Sequence, residues 1–124
     1  MLISIAIPAF NEEKLLPATL AAVTEAGKAF SEHNWKMEVV VCDNNSTDRT
    51  GEIAEAAKAR VVFEKHNQIS RARNAAGNAA KGEWIIFVDA DSEPSKALFE
   101  ATAVAMGKRG IIRGGTTVKF EGGE

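Results

Sequence analysis

Two carboxylates one residue apart, Asp89 and Asp91, close the apolar run Trp84–Val88 in the stretch "IIFVDADS". Acids placed at the end of a buried strand call for something cationic, or rich in hydroxyls, to receive them. Hard oxygen ligands of this kind suit Mg²⁺ or Mn²⁺. Such ions take one or two carboxylates from a protein and complete their shell with phosphate oxygens and water. Side chains at i and i+2 of an extended segment point the same way, so both acids can face one site. Taken alone, the pair also reads as a solvated turn capping the helix that follows.

The elements that would position these acids follow from periodicity. Leu2–Ile7 is a β-branched apolar run ended by Pro8, and "MEVVVC" (Met37–Cys42) is a second such run. Val61–Phe63 and Trp84–Val88 are a third and fourth, and Ile111–Phe120 is a further extended segment. Between them lie helical patterns. Leu16, Leu20, Val23, Gly27 and Phe30 share one face of a helix from about Glu12 to Phe30. A second helix runs from the turn "DNNSTD" to about Ala59. A third, about Ile69 to Ala80, packs through Ile69, Ala72, Ala76 and Ala79. A fourth, Ser95 to about Met106, turns Leu98, Thr102 and Ala105 inward. Strands that read as continuous apolar runs, alternating with helices, predict an α/β fold. Its sheet is mostly parallel and Rossmann-like, with helices on both faces.

In such sheets ligands sit beyond the C-terminal ends of the strands, at a topological switch point. The residues there are "PAFNEE" (Pro8–Glu13), "DNNSTD" (Asp43–Asp48), "EKHNQ" (Glu64–Gln68) and "DADSEP" (Asp89–Pro94). The first turn contains no glycine, so neither a G-x-G-x-x-G fingerprint nor a P-loop is present. A diphosphate would then have to be held through a divalent cation on carboxylates.

Together these segments resemble the nucleotide-binding half of a family 2 glycosyltransferase of the GT-A fold. The pieces that carry the resemblance are "ISIAIPAFNEE", "VVVCDNNSTDRT" and "ISRARNAAGNAAKGEWIIFVDADS", and it extends from Leu2 to Lys119. Each motif is weak alone; their order and spacing are specific. The resemblance implies that Pro8, Ala9 and Phe10 line a nucleobase pocket and that Glu12 lies near the ribose. It implies that Asp43 accepts a hydrogen bond from the base and that Arg71 and Asn74 border the nucleotide. Asp89 would approach the ribose or the metal, and Asp91 would coordinate Mg²⁺ or Mn²⁺ bridging the diphosphate. The implied activity is transfer of a sugar, with inversion, from a nucleotide-diphosphate donor to a saccharide or lipid-linked hydroxyl acceptor. UDP-sugars are expected ahead of GDP-sugars on family frequency. Members often carry glycine near position 68, where this chain has Gln68.

The chain has 124 residues, 45% hydrophobic and 26% charged, which predicts one globular domain. A net charge of -2 argues against a nucleic-acid partner. The lone Cys42 lies in an apolar run, which rules out a disulfide framework and points to a reducing, cytoplasmic setting. No apolar run approaches a membrane span, so any membrane association would come from a longer parent protein. An inverting transferase needs a general base, which in this family comes from a later half. The expectation is therefore a donor-binding domain, residues 1–124, incomplete at its C-terminus. An exposed sheet edge would invite homo-oligomerisation. A nucleotidyltransferase and a non-catalytic binding fragment are the competing functions.

Overall fold

The computed structural model describes residues 1–108 and 116–119. Strand β1 (Leu2–Ala9) leads to helix α1 (Leu16–Ala26), the short helix α2 (Lys28–Ser31) and strand β2 (Lys36–Asp43). Helix α3 (Thr50–Ala56), strand β3 (Arg60–Phe63), helix α4 (Ile69–Ala79) and strand β4 (Trp84–Phe87) follow. Helix α5 (Lys96–Lys108) and strand β5 (Thr116–Lys119) complete the described elements. The five strands are all parallel, in the order β3-β2-β1-β4-β5. This is the expected α/β fold with helices on both faces.

The strand order places the switch point. From β1 the chain steps outward to β2 and β3, then returns across β1 to add β4 and β5. The crevice between β1 and β4 therefore opens where "PAFNEE" leaves β1 and "DADS" leaves β4. β1 can occupy the centre because Ile3 through Ala9 are buried without a break. Ile3, Ile5 and Ile7 face a core built with α1, α2, α3 and α5, while Ala6, Val40 and Cys42 face Ala72 and Ala76 of α4.

Some sequence expectations are corrected. The first helix begins at Leu16, not Glu12, and the residues before it form a loop. The next helix ends at Ala56. Ile69, expected inward, is 63% exposed, because it is the first residue of α4 and precedes the turn that meets the sheet. In α5 the buried residues are Phe99, Thr102, Ala103 and Met106, while Leu98 is half-buried and Ala105 exposed. The reason is a ring contact: Phe99 stacks on Phe30 at 5.1 Å, and that fixes the rotation of the helix. Of the extended segment expected over Ile111–Phe120, the described part is β5, and positions 111–115 and 120 lie outside the described residues. No helix among the described residues is long and apolar enough to cross a membrane.

The edge of the sheet opposite the crevice is closed by one polar network. Buried Ser4 donates from Oγ to Glu38 Oε2 and accepts the Gly82 amide at 2.8 Å. The Lys81 amide also donates to Glu38 Oε2, at 2.6 Å, and Arg60 Nη2 reaches Glu38 Oε1 at 2.7 Å. Gly82 is required by this approach. A Cβ there would lie 2.7 Å from the Ser4 nitrogen and 2.9 Å from the Leu2 carbonyl oxygen, and backbone cannot yield. Burial pushes the Glu38 carboxyl up, but the bonds from Ser4, the Lys81 amide and Arg60 outweigh it and hold it below its ordinary value. Its stabilising contribution is thus present above the unfolded value near 4.5 and is lost as pH falls through the lower folded value. Glu38→Gln should cost about 2 kcal/mol at neutral pH and flatten the acid limb of the stability curve, as read by urea titrations between pH 3 and 7.

Candidate functional site

The loop after β1 is built by the loop after β2. The Asn11 amide donates to Ser46 Oγ at 2.9 Å, the Glu12 amide to Thr50 Oγ1 at 2.9 Å, and the Glu13 amide to Asp48 Oδ2 at 3.2 Å. In return, Asn11 Oδ1 accepts the Thr47 amide at 2.8 Å and Glu13 Oε1 accepts the Arg49 amide at 3.0 Å. Asn11 adopts φ 51°, a left-handed conformation that asparagine tolerates better than most residues. Burial raises the Asp48 carboxyl, but hydrogen bonds from Thr50 and the Glu13 amide overcome this and hold it below its usual range. The loop after β3 is tied in by buried Asn44, whose Nδ2 donates to the carbonyls of Glu64 and His66 at 3.0 and 2.6 Å. Asn67 returns a bond to the Asn44 carbonyl at 2.7 Å. The turn "DNNSTD" is therefore largely a clamp. Together with Thr50 it also consumes three consecutive amides of the first loop that could otherwise meet a phosphate.

The acids sit across the crevice from this clamp. β4 ends at Phe87, and the Val88 amide still bonds the Ala6 carbonyl at 3.0 Å. The chain then turns, with the Ser92 amide donating to the Asp89 carbonyl at 3.0 Å. Thr19 Oγ1, buried on α1, anchors the turn through the Ala90 carbonyl at 2.8 Å. Asp89 is half-buried and Asp91 exposed. The extended i, i+2 geometry expected from sequence does not hold here, because the segment is a turn.

The group nearest in effect to Asp91 is Glu12. Its Oε2 is buried and has no hydrogen-bond partner. Its carboxyl is pushed up first by burial, then by the negative charge of Asp91, then by that of Asp48. The charge of Asp91, on the loop after β4, is thus felt at Glu12, on the loop after β1, across the switch point. No group of three or more His, Cys, Asp or Glu side chains that could hold a metal occurs among the described residues. The arrangement fits an ion that takes few protein ligands and draws the rest from phosphate and water.

The remaining expected residues are placed as follows. Pro8 and Ala9 are buried at the end of β1, and Phe10 is 48% exposed beyond it. Asp43, half-buried, accepts the amide of Ser46, three residues on, at Oδ1 at 3.0 Å and borders a cavity of about 440 Å³ between α3 and β3. Arg71 and Asn74 are exposed on α4, and Arg71 Nε is held by Gln68 Oε1 at 3.0 Å. The resemblance implied a role for Arg71 and said nothing of Arg73, two residues on. Arg73 is half-buried, with its guanidinium 5.9 Å from the Phe87 ring and its Nε buried without a partner. Its burial one turn from the start of α4 was hidden by the absence of apolar character.

The model of the family described as glycosyl transferase family 2 matches residues 4–123. The chain belongs to glycosyl transferase family 2. Among family 2 relatives it is 35% identical over 94 residues to WfaP of Escherichia coli, a UDP-Glc:alpha-D-GlcNAc-diphosphoundecaprenol beta-1,3-glucosyltransferase, covering 73% of this chain and 35% of WfaP. Its fold matches S. aureus TarS 1-349 in complex with UDP-GlcNAc. The TM-score is 0.72 at 30% identity, over 87% of this chain and 32% of that one. It also matches the mannosyltransferase PcManGT from Pyrobaculum calidifontis in complex with GDP-Man and Mn²⁺. Here the TM-score is 0.68 at 26% identity, over 81% of this chain and 31% of PcManGT. The family 2 chain thus spans about a third of the length of each of these proteins.

The raised Glu12 carboxyl carries a stability cost that can be measured. An acid whose folded value is raised loses stability as pH climbs from its ordinary 4.5 to that raised value. Glu12→Gln should therefore raise the melting temperature at pH 7.5 and remove that part of the loss between pH 4.5 and 7.5. A melting temperature lowered by the substitution would mean that Glu12 is compensated.

Proposed function

We propose that this family 2 chain forms the donor half of an inverting glycosyltransferase. Residues 1–124 would bind a nucleotide-diphosphate sugar with Mg²⁺ or Mn²⁺, for transfer to a saccharide or lipid-linked hydroxyl acceptor. The observation that carries the reading is the pair Glu12 and Asp91. The negative charge of Asp91 reaches the unpartnered Glu12 carboxyl across the switch-point crevice, where the loop amides at Asn11, Glu12 and Glu13 are already taken. The complexes of TarS with UDP-GlcNAc and of PcManGT with GDP-Man and Mn²⁺ support it by analogy.

In this reading Asp91, exposed at the turn, is the principal metal ligand, Glu12 is the second, and half-buried Asp89 approaches the ribose. When bound, the cation supplies neutralisation of the diphosphate as leaving group. Arg73 adds a fixed positive charge next to the end of β4, with an unpartnered Nε that an anion would satisfy. Phe10, open at the end of β1, offers a ring to the nucleoside. The rigid turn held by Thr19 keeps Asp91 in place, so little ordering is needed on binding. The base that deprotonates the acceptor is assigned to no residue of this chain.

Calorimetric titration with nucleoside diphosphates, with and without Mn²⁺, tests this. Binding should need the ion and should weaken by roughly a hundredfold in Asp91→Ala. Equal affinity without Mn²⁺, or in the variant, would refute the metal role.

A further inference from the structure

We infer that strand β3 pairs antiparallel with β3 of a second copy of this chain, joining two sheets across a two-fold axis at Val62. The inference stands apart from the donor reading, because it concerns the outer side of the sheet and not the crevice. β3 ends the strand order, with β2 as its neighbour. The outer side of an end strand presents unpaired amides and carbonyls, a template for another strand.

The pairing with β2 fixes which groups face outward. The Glu64 amide donates to the Asp43 carbonyl at 3.0 Å, so Glu64 turns its backbone groups toward β2. Backbone groups alternate in direction along a strand. Val62 and Arg60 therefore also turn theirs toward β2, and Val61 and Phe63 turn theirs outward. Side chains alternate as well. Val62 packs with the cluster on the α4 face, where Arg60 reaches Glu38, while Val61 packs with the core on the opposite face. Phe63 shares the face of Val61 and is 61% exposed.

The segment Arg60-Val61-Val62-Phe63-Glu64 complements itself when reversed. With Val62 on the axis, Val61 of one copy exchanges both backbone bonds with Phe63 of the other. A β-branched side chain then lies opposite an aromatic ring, and the Phe63 rings of the two copies are diagonal neighbours. Arg60 of one copy faces Glu64 of the other at both ends, a favourable pair of opposite charges. Arg60 gives Nη2 to Glu38 at 2.7 Å, and its guanidinium has further N–H donors for a second carboxylate. Glu64 accepts the His66 amide on Oε2 at 2.9 Å, and its other oxygen keeps lone pairs for a donor.

The neighbouring registers lose this match. Val61 set against Val61 puts Arg60 opposite Val62. Phe63 set against Phe63 puts Glu64 opposite Val62 and Lys65 opposite Val61. Each leaves a charge against an apolar side chain, so the charges select one register. That register is isologous and uses the outer side of β3 in both copies, which closes the assembly as a dimer. β3 has 4 residues, so the contact is small and association depends on concentration.

The test is sedimentation velocity of the full chain from about 10 μM to about 1 mM, with amide hydrogen exchange at both ends of that range. The expected result is a discrete dimer that grows with concentration, with slower exchange at Val61 and Phe63 in the concentrated sample. Phe63→Pro removes an outward amide and leaves the bonds to β2 intact. Glu64→Lys sets like charges opposite each other. Each should raise the concentration of half-dimerisation at least roughly tenfold with the circular dichroism unchanged. Glu100→Lys, the same charge change at an exposed position of α5, should leave it where it is. A monomer throughout, a dimer indifferent to both β3 variants, or a dimer with no added protection at Val61 and Phe63 would overturn the inference.

Discussion

The backbone amides at the mouth of the sheet are already committed, and the chemistry of the site follows from that. A parallel sheet brings every strand-to-helix loop to one edge. Most sheets of this type can then meet a phosphate with amides of a glycine-rich turn. Here the Asn11, Glu12 and Glu13 amides are donated to Ser46, Thr50 and Asp48 instead. The bonds hold the loop in place, and they take three of its backbone amides away from any anion. Negative charge must be met by other means, and the carboxylates at the crevice are suited to that through a cation.

Rigidity at this edge depends on the core beneath it. β1 is buried along nearly its whole length, and β4 stays in register with it up to the pairing of Ala6 with Phe87. The acidic turn hangs from that register through Val88 and is fixed laterally by Thr19 on α1. The far edge has a different economy, because Glu38 meets three partners and its charge is compensated. One acid stabilises the fold; the other, Glu12, is held at a cost, as groups at functional sites often are.

The fold was legible because parallel strands buried on both faces read as unbroken apolar runs, and "LISIAI" and "MEVVVC" have no other reading in this context. The strand-end turns were legible for the same reason. What pairs with what across those turns was not. Asn11 and Thr47 are 36 residues apart, and their side chains could equally have faced a ligand or solvent. Helix rotation was legible only where apolar spacing was unambiguous. In α1 Leu16, Leu20 and Val23 are buried as the spacing predicted, while in α5 the contact of Phe99 with Phe30 decided the phase. Arg73 was passed over because a charged residue on a helix is normally solvated, and only its packing on Phe87 distinguishes it from Arg71.

The central claim is that the crevice between β1 and β4 holds a divalent cation through Asp91 and Glu12 once a nucleotide is present. The direct measurement is paramagnetic broadening of backbone amide resonances by substoichiometric Mn²⁺, with nucleoside diphosphate in excess. The account predicts selective loss of signal around Glu12 and Asp91, abolished in Asp91→Ala and weak without nucleotide. Broadening centred on Asp43 and Asp48, or spread evenly over the acidic surface, would contradict it.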